Sequence, residues 1–228
     1  MYNLNLFIKR AFDIISCSIA ILLLTPVWII VAIAIKTDSK GPVFFKQGRR
    51  TKECSIVQML KFRSMCVGAE KQGTGLFSYD NDPRVTKVGA FLRKTSLDEI
   101  PQFFNVLLGD ISVVGPRPCV TYELGDYDTL NKKYKKRFQV KGGITGLAQC
   151  KGRNENSWDE KVTFDGQYVD LFKSEGVWVD IKILWWSVIK VFQSANINED
   201  QREGMSAEES AELDDDEVKR IAHLPDEE

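Results

Sequence analysis

"AFDIISCSIAILLLTPVWIIVAIAI", residues 11–35, is an almost wholly apolar run about 25 residues long, with one acid, Asp13, near its start. At roughly 1.5 Å per residue, a helix of that length reaches across a hydrocarbon core, so the run predicts a membrane segment. It lacks a small-residue cleavage site and is longer than a signal-peptide core, which predicts that it is retained. Pro26 removes a backbone hydrogen bond and crowds the preceding turn, so a kink is expected at Thr25-Pro26, with the Thr25 hydroxyl available to a freed carbonyl.

Basic residues flank both ends of the run, Lys9 and Arg10 before it and Lys36, Lys40, Lys46, Arg49 and Arg50 after it. A single crossing puts one basic flank outside. A re-entrant hairpin keeps both in the cytoplasm, as the positive-inside tendency prefers. On the residues alone both topologies stay open.

Outward from this segment, the 228 residues carry a formal charge of -1. A near-neutral balance gives no basic footprint, so no nucleic-acid partner is expected. Five cysteines without CxxC or metal-site spacing indicate neither a disulfide framework nor a zinc site. The one histidine, His223, lies in the acidic C-terminal stretch, which argues against a Ser/His/Asp triad, a Cys/His pair or a His-ligated metal. Acid, base or nucleophile must then come mainly from carboxylates.

The chain is expected to divide into a membrane helix with its basic flank (1–38), a domain over 39–195 and an acidic, flexible tail (196–228) too poor in apolar side chains to offset its ordering entropy. "SKGPVFFKQGRR" reads as a turn, a short strand from Val43 to Phe45 and a second turn, and "SIVQMLKFRSM" as the strand that completes a hairpin. "VTKVGAFLRKTS" has helical spacing, "EIPQFFNVLLGD" is a short apolar helix ended by Gly109, and "ISVVGPRPCV" is a buried strand or extended run. "DYDTLNKKYKKRFQV" reads as a basic amphipathic helix, "GGITGLAQ" as a glycine-rich connection and "SWDEKVTFDGQYVDL" as helical. "GVWVDIKILWWSVIKVFQS" places Trp178, Ile181, Trp185, Val188 and Phe192 along one stripe, suited either to a core or to a membrane interface. The expected class is α+β, mostly helical: a membrane helix, a short β-hairpin and a helical domain with interfacial helices.

"TSLDEIPQ", residues 95–102, sets Asp98 and Glu99 just before Pro101. A proline is tolerated in the first turn of a helix, so this helix is expected to begin at about Asp98, with Asp98 at or near the N-cap and Glu99 in the first turn. The bland reading is a capping acid; the sharper one is an ionised carboxylate able to attack phosphorus, provided Mg²⁺ lies between two acids and a phosphate. Arg93 and Lys94 add positive charge nearby. "SVVGPRP" fixes Arg117 between Pro116 and Pro118, its planar fork suited to a phosphate. In "KFRSM", strand alternation puts Lys61 and Arg63 on one face.

Taken together, "GPVFFKQGRR", "LKFRSM", "NDPRVTKVGAFLRKTSLDEIPQFFNVLLGDISVVGPRP", "GITGLAQ" and "GRNENSW" resemble the bacterial sugar transferases, the small monotopic polyprenyl-phosphate phosphoglycosyl transferases, from about Phe7 to Phe192. The resemblance implies transfer of a sugar-1-phosphate from a UDP-sugar to polyprenyl phosphate, usually undecaprenyl phosphate, with release of UMP. It places the family's dyad on Asp98 and Glu99, with Asp98 as nucleophile, a covalent phospho-sugar intermediate and Mg²⁺ at both carboxylates. It also implies a helix that re-enters at a Ser-Pro pair, here Thr25-Pro26, and a catalytic domain on the cytoplasmic face of the bacterial inner membrane, seated on its lipid.

Within that frame, Lys61, Arg63, Arg93 and the Gly115-Pro116-Arg117 segment are the expected phosphate and substrate contacts. The chain departs from the family pattern at Gly143, where a proline is common, and at Leu147, Cys150 and Lys151. The absence of added membrane helices points to a minimal catalytic form, with a homodimer or a downstream glycosyltransferase as candidate partners. Two rivals stand beside this: a membrane-anchored Mg²⁺-dependent phosphohydrolase, with water as acceptor, and a non-catalytic scaffold in which the dyad is only a cap.

Overall fold

The computed structural model describes residues 2–71, 82–152 and 157–196. The first helix, α1, runs Tyr2–Asp38, 37 residues that continue through Pro26. Leu22, Leu23, Ile29, Ile30 and Ile33 are exposed along it, and among the described residues it is the one helix long and apolar enough to cross a membrane. The Thr25 hydroxyl donates to the Ile21 carbonyl at 2.9 Å. The carbonyl that Pro26 frees is that of Leu22, four residues before the proline, so this threonine serves a different group from the one expected.

The rest is a mostly helical α+β fold with small sheets, in two compact units interleaved along the chain. One comprises Met1–Phe12, Arg50–Ile56 and Ile111–Glu228; the other comprises Asp13–Arg49 and Val57–Asp110.

The expected hairpin is present as neighbouring strands β1 (Phe44–Arg50) and β2 (Ile56–Phe62), which lie in the second unit except for Arg50 and Ile56. The first strand runs on through "KQGRR", which the sequence presented as a turn. The reversal comes later, where Thr51 N–H donates to Ser55 at 2.9 Å and Glu53 and Cys54 take positive φ. Next comes α2 (Lys87–Lys94), its free N–H groups met by the Thr86 hydroxyl (from Gly89, 2.9 Å) and by Asp38 at the end of α1 (from Val88, 3.0 Å). Helix α3 (Gln102–Leu108) ends at Gly109, whose φ of 88° is the left-handed conformation that closes a helix. Val31 and Ile35 of α1 pack with Phe62 and Leu92 in the core of this unit, and Trp28 stands edge-on to Phe44, Phe62 and Phe104.

The first unit holds β3 (Ser112–Val114), β4 (Cys119–Val120), α4 (Lys132–Lys136), β5 (Gly143–Thr145), α5 (Leu147–Gly152), α6 (Trp158–Glu175) and α7 (Val177–Asn196). Strands β3 and β5 pair in parallel, Ser112 opposite Gly143 and Val114 opposite Thr145. "GGITGLAQ" is therefore a strand and the start of a helix rather than a connection. The basic helix expected over "DYDTLNKKYKKRFQV" is confined to α4, because Asn131 caps it by accepting from Tyr134 N–H at 3.0 Å. Helix α6 opens on a reciprocal cap between Ser157 and Glu160. Tyr168, Phe172, Ile183 and Trp186 form the core with Val114 and Leu147. Lys9, in the first turns of α1, donates to Asp180 at 2.5 Å, to the Val114 carbonyl at 2.9 Å and to the Tyr168 hydroxyl at 3.3 Å.

The stripe on α7 faces outward: Trp178 and Trp185 are each 66% exposed, and Ile181 and Val188 are also exposed. The side chain of Phe192, part of the polar loop at 72–81, the Arg-Asn-Glu-Asn stretch at 153–156 and the tail from 197 lie outside the described residues.

Candidate active site

The dyad lies in a single tight turn, Leu97–Glu99, between α2 and α3. Ser96 enters it at a φ of 56°, and Glu99 and Ile100 N–H groups bond back to Ser96 and Leu97 at 3.3 Å. Asp98 is consequently not the cap of α3, as the sequence suggested; Pro101 takes that position, and α3 begins at Gln102. A proline has no N–H to lose at a helix start, so it moves the boundary three residues past the acids.

Lys61, at the end of β2, reaches this turn and donates to Glu99 at 2.8 Å, both side chains half-buried. Burial pushes the Asp98 carboxyl above the ordinary carboxylate range; Lys61 pulls it back, Glu99 adds to the rise and Arg93 opposes it. Arg93 extends from α2, its Nε held by the Ser64 hydroxyl at 2.9 Å. Burial lowers the Arg93 pKa, and Asp98 and Asp82 act against that fall. Asp98, Glu99, Lys61 and Arg93 thus form one electrostatic group.

Gly89 makes this arrangement possible. A Cβ there would lie 1.9 Å from the Ser64 carbonyl oxygen, so only glycine lets α2 approach the strand end that orients Arg93.

Arg63 faces elsewhere. It is buried, with its terminal nitrogens on the Lys40 carbonyl at 2.5 Å and the Ser39 carbonyl at 2.8 Å, and it packs where a Cβ on Gly41 would clash. It ties the chain leaving α1 to β2, and its geometry supplies no direct support for a phosphate contact.

Gly115, Pro116 and Arg117 belong to the other unit. Gly115 N–H donates to Thr145 at 2.8 Å, and the Pro116 carbonyl accepts from Gly143 N–H at 2.9 Å. A Cβ on Gly115 would meet the Lys141 carbonyl at 2.4 Å, so the segment lies tight against the stretch that leads into β5. Arg117 borders a small recess that Arg50 and Arg137 also line.

Two buried ion pairs escaped the sequence reading. Asp82 and Arg84 pair at 2.7 Å, and Arg137 and Asp165 at 3.2 Å. The first has a local signal, an acid two residues before an arginine across a proline. The second joins groups far apart in the chain, and no spacing rule reveals it.

The model of the family described as "Bacterial sugar transferase" matches residues 4–194. The chain belongs to the bacterial sugar transferase family. It is 46% identical over 193 residues to a UDP-glucose:undecaprenyl-phosphate glucose-1-phosphate transferase of Klebsiella pneumoniae, covering 83% of this chain and 41% of that protein. A protein of the same name from Escherichia coli K12 is 45% identical over 195 residues, with the same coverage. The chain thus spans about two fifths of the length of these relatives. A third relative, the exopolysaccharide production protein PSS of Rhizobium leguminosarum, is 40% identical over 194 residues, covering 82% of this chain and 96% of that protein. The match to this sugar transferase family contains both the dyad turn and the Gly115–Arg117 segment.

Among the described residues no group of three or more His, Cys, Asp or Glu side chains is placed to hold a metal. The dyad offers two hard oxygen donors side by side.

Proposed function

We propose that the chain moves a sugar-1-phosphate from a UDP-sugar to polyprenyl phosphate, releasing UMP, and so starts membrane-associated glycan assembly. The observation that carries this reading is the setting of Asp98: a half-buried carboxylate beside Glu99, with Lys61 and Arg93 as the cations of its group. In this reading an Asp98 oxygen attacks the sugar-bearing phosphorus, the bond to the UMP oxygen breaks, and UMP leaves with the electron pair. An oxygen of polyprenyl phosphate then attacks the aspartyl phospho-sugar and frees the Asp98 carboxylate. Lys61 offsets the charge of Glu99 and favours the ionised nucleophile; Arg93 is a candidate partner of the phosphate oxygens, and the resemblance to the family makes Arg117 another.

Mg²⁺ is the proposed cofactor, held by Asp98 and Glu99. Two carboxylates fit a hard cation that completes its shell with water and substrate phosphates better than one needing a full protein cage. When bound, it supplies the positive charge that lets two acids face a phosphate.

The membrane topology proposed is re-entrant, with both flanks of α1 at the cytoplasmic face of the inner membrane. Lys9 at one end is bonded within the first unit, and Val31 and Ile35 near the other are buried in the second. The basic residues at both flanks of the apolar run favour keeping both on one side, and Pro26 marks the place for its return. The exposed Trp178 and Trp185 support seating of α7 at the lipid interface. A homodimer or a downstream glycosyltransferase remains a candidate partner.

The test uses detergent-solubilised protein, Mg²⁺, undecaprenyl phosphate and a panel of UDP-sugars, with UMP as readout for wild type, Asp98→Asn and Glu99→Gln. UMP that needs one sugar and the lipid together, and vanishes in Asp98→Asn, is the expected result. UMP released at the same rate without lipid would make the protein a phosphohydrolase, and full activity in Asp98→Asn would remove the nucleophile.

A further inference from the structure

Arg137 and Asp165 bury opposite charges in the first unit, at 4% and 2% exposure. Their contact, Nε to Oδ2 at 3.2 Å, is loose for a charge-assisted bond, and it leaves Arg137 Nη1 and Asp165 Oδ1 without hydrogen-bond partners. A buried pair of this quality is a poor device for stability, since well-packed apolar residues of similar volume usually serve as well or better. Its geometry suggests another task.

Arg137 Nη2 donates to the Arg117 carbonyl at 2.6 Å. Arg117 lies between two prolines, so neither neighbour has an N–H with which to fix the segment, and the proline after it confines its backbone to extended conformations. The Arg117 carbonyl is therefore a handle on the remaining freedom of that residue. The preceding carbonyls are held as well, Pro116 by Gly143 N–H and Val114 by Lys9 and Tyr168. The guanidinium of Arg137 is set from its other side, with its centre 5.1 Å from the Trp158 ring and 5.6 Å from the Phe138 ring.

We infer that Arg137, seated by Asp165 and Trp158, is a positioning residue for Arg117. Through the Arg117 carbonyl it fixes how that arginine presents its fork to the diphosphate of the nucleotide donor, an inference that rests on the proposed reaction. Arg137 itself touches no reacting atom. Lysine cannot replace it, because the task needs a planar group that meets a carboxylate along one edge and a carbonyl along the other.

The experiment compares wild type, Arg137→Lys, Asp165→Asn, Arg117→Ala and the Arg117→Ala/Arg137→Lys double variant as full chains in detergent. Hydrogen exchange is followed over residues 112–119, and UDP binding is followed by calorimetry with Mg²⁺ present. Faster exchange in both Arg137→Lys and Asp165→Asn is expected, with unchanged exchange in α6 and α7 showing that the fold persists. UDP affinity should fall roughly tenfold in Arg137→Lys, yet change less than about twofold when the same substitution is made on Arg117→Ala, as coupled sites require.

Equal losses in both backgrounds, or unchanged exchange over residues 112–119, would overturn the inference. If one variant fails to fold, the other still reports the exchange. A wild type that does not bind UDP would count against the proposed reaction instead, and the exchange result would still decide whether Arg137 holds Arg117.

Discussion

Lys61 and Glu99 close a 2.8 Å ion pair from the end of β2 to the turn that carries the dyad, and the same lysine is the first cation that Asp98 feels. The pair therefore joins the hairpin to the turn on which the proposed chemistry rests. Removing the lysine leaves two half-buried acids adjacent to each other, which raises the cost of ionising either. Lys61→Met is expected to destabilise the fold by about 1–2 kcal/mol, between the values for exposed and fully buried pairs. In Lys61→Met/Glu99→Gln most of that loss should return, since the Glu99 charge that Lys61 offset is removed with it and no longer opposes Asp98. Urea unfolding of the three variants measures this, and additive losses would show that the pair is not coupled.

The proposed two-step transfer predicts a partial reaction. If Asp98 takes the phospho-sugar before the lipid acts, labelled UMP must exchange into UDP-sugar with no polyprenyl phosphate present. Wild type should catalyse that exchange and Asp98→Asn should lose it by at least about a thousandfold, the order expected when a nucleophile is removed. Transfer to lipid without any such exchange would point to direct displacement.

Gly89→Ala puts a methyl group against the Ser64 carbonyl at a nominal 1.9 Å, a backbone contact that no side-chain rotation can relieve. The helix must move, at a cost of about 2–3 kcal/mol by analogy with overpacked cores. Because Ser64 also holds Arg93, UMP release should fall further than the loss of folded protein accounts for. An activity loss equal to the unfolded fraction would show that the Ser64–Arg93 bond is only structural.

The Asp165 pKa is raised from 3.8 to about 6, by burial first, with Arg137 and Lys161 opposing. A carboxyl raised in the folded state holds its proton there more tightly than in the unfolded chain. Its contribution to stability is therefore present below about pH 4 and lost as pH rises to about 6, by about 3 kcal/mol at 1.36 kcal/mol per unit. The stability of wild type relative to Asp165→Asn should decline across that window and level off above it. A difference that stays flat from pH 4 to 7 would mean that Asp165 titrates normally.

What the chain reveals in its letters is mostly local. The apolar run of α1, the stop at Gly109 and the helix over "SWDEKVTFDGQYVDL" each depend on residues within a turn or two of one another, so pattern and propensity suffice. The dyad was visible as an acid pair, but its place was misjudged by three residues, because Pro101 is compatible with both a first turn and a cap. Arg63 shows the other limit. Alternation put it beside Lys61, yet its charge turns to the carbonyls of Ser39 and Lys40, partners that exist only once α1 has packed. Arg137 and Asp165 carried no sequence signal because both their meeting and their burial are tertiary events.

The outward face of α7 gives the last prediction. Trp178, Ile181, Trp185 and Val188 recur at helical spacing and are exposed, while Val179, Ile183 and Trp186 on the same helix are buried. Two indoles left in water beside Lys182 cost apolar exposure, whereas at a headgroup boundary their rings and N–H groups are both satisfied. Trp158, on α6, should serve as the aqueous control. Full-length variants that retain only Trp185 or only Trp158 are to be reconstituted in bilayers containing brominated lipid, which quenches indoles within the acyl region. Trp185 fluorescence is expected to fall severalfold and Trp158 fluorescence to stay nearly constant. Equal, weak quenching of both would place α7 in water and leave α1 as the membrane contact, with the apolar stripe then available to another protein surface.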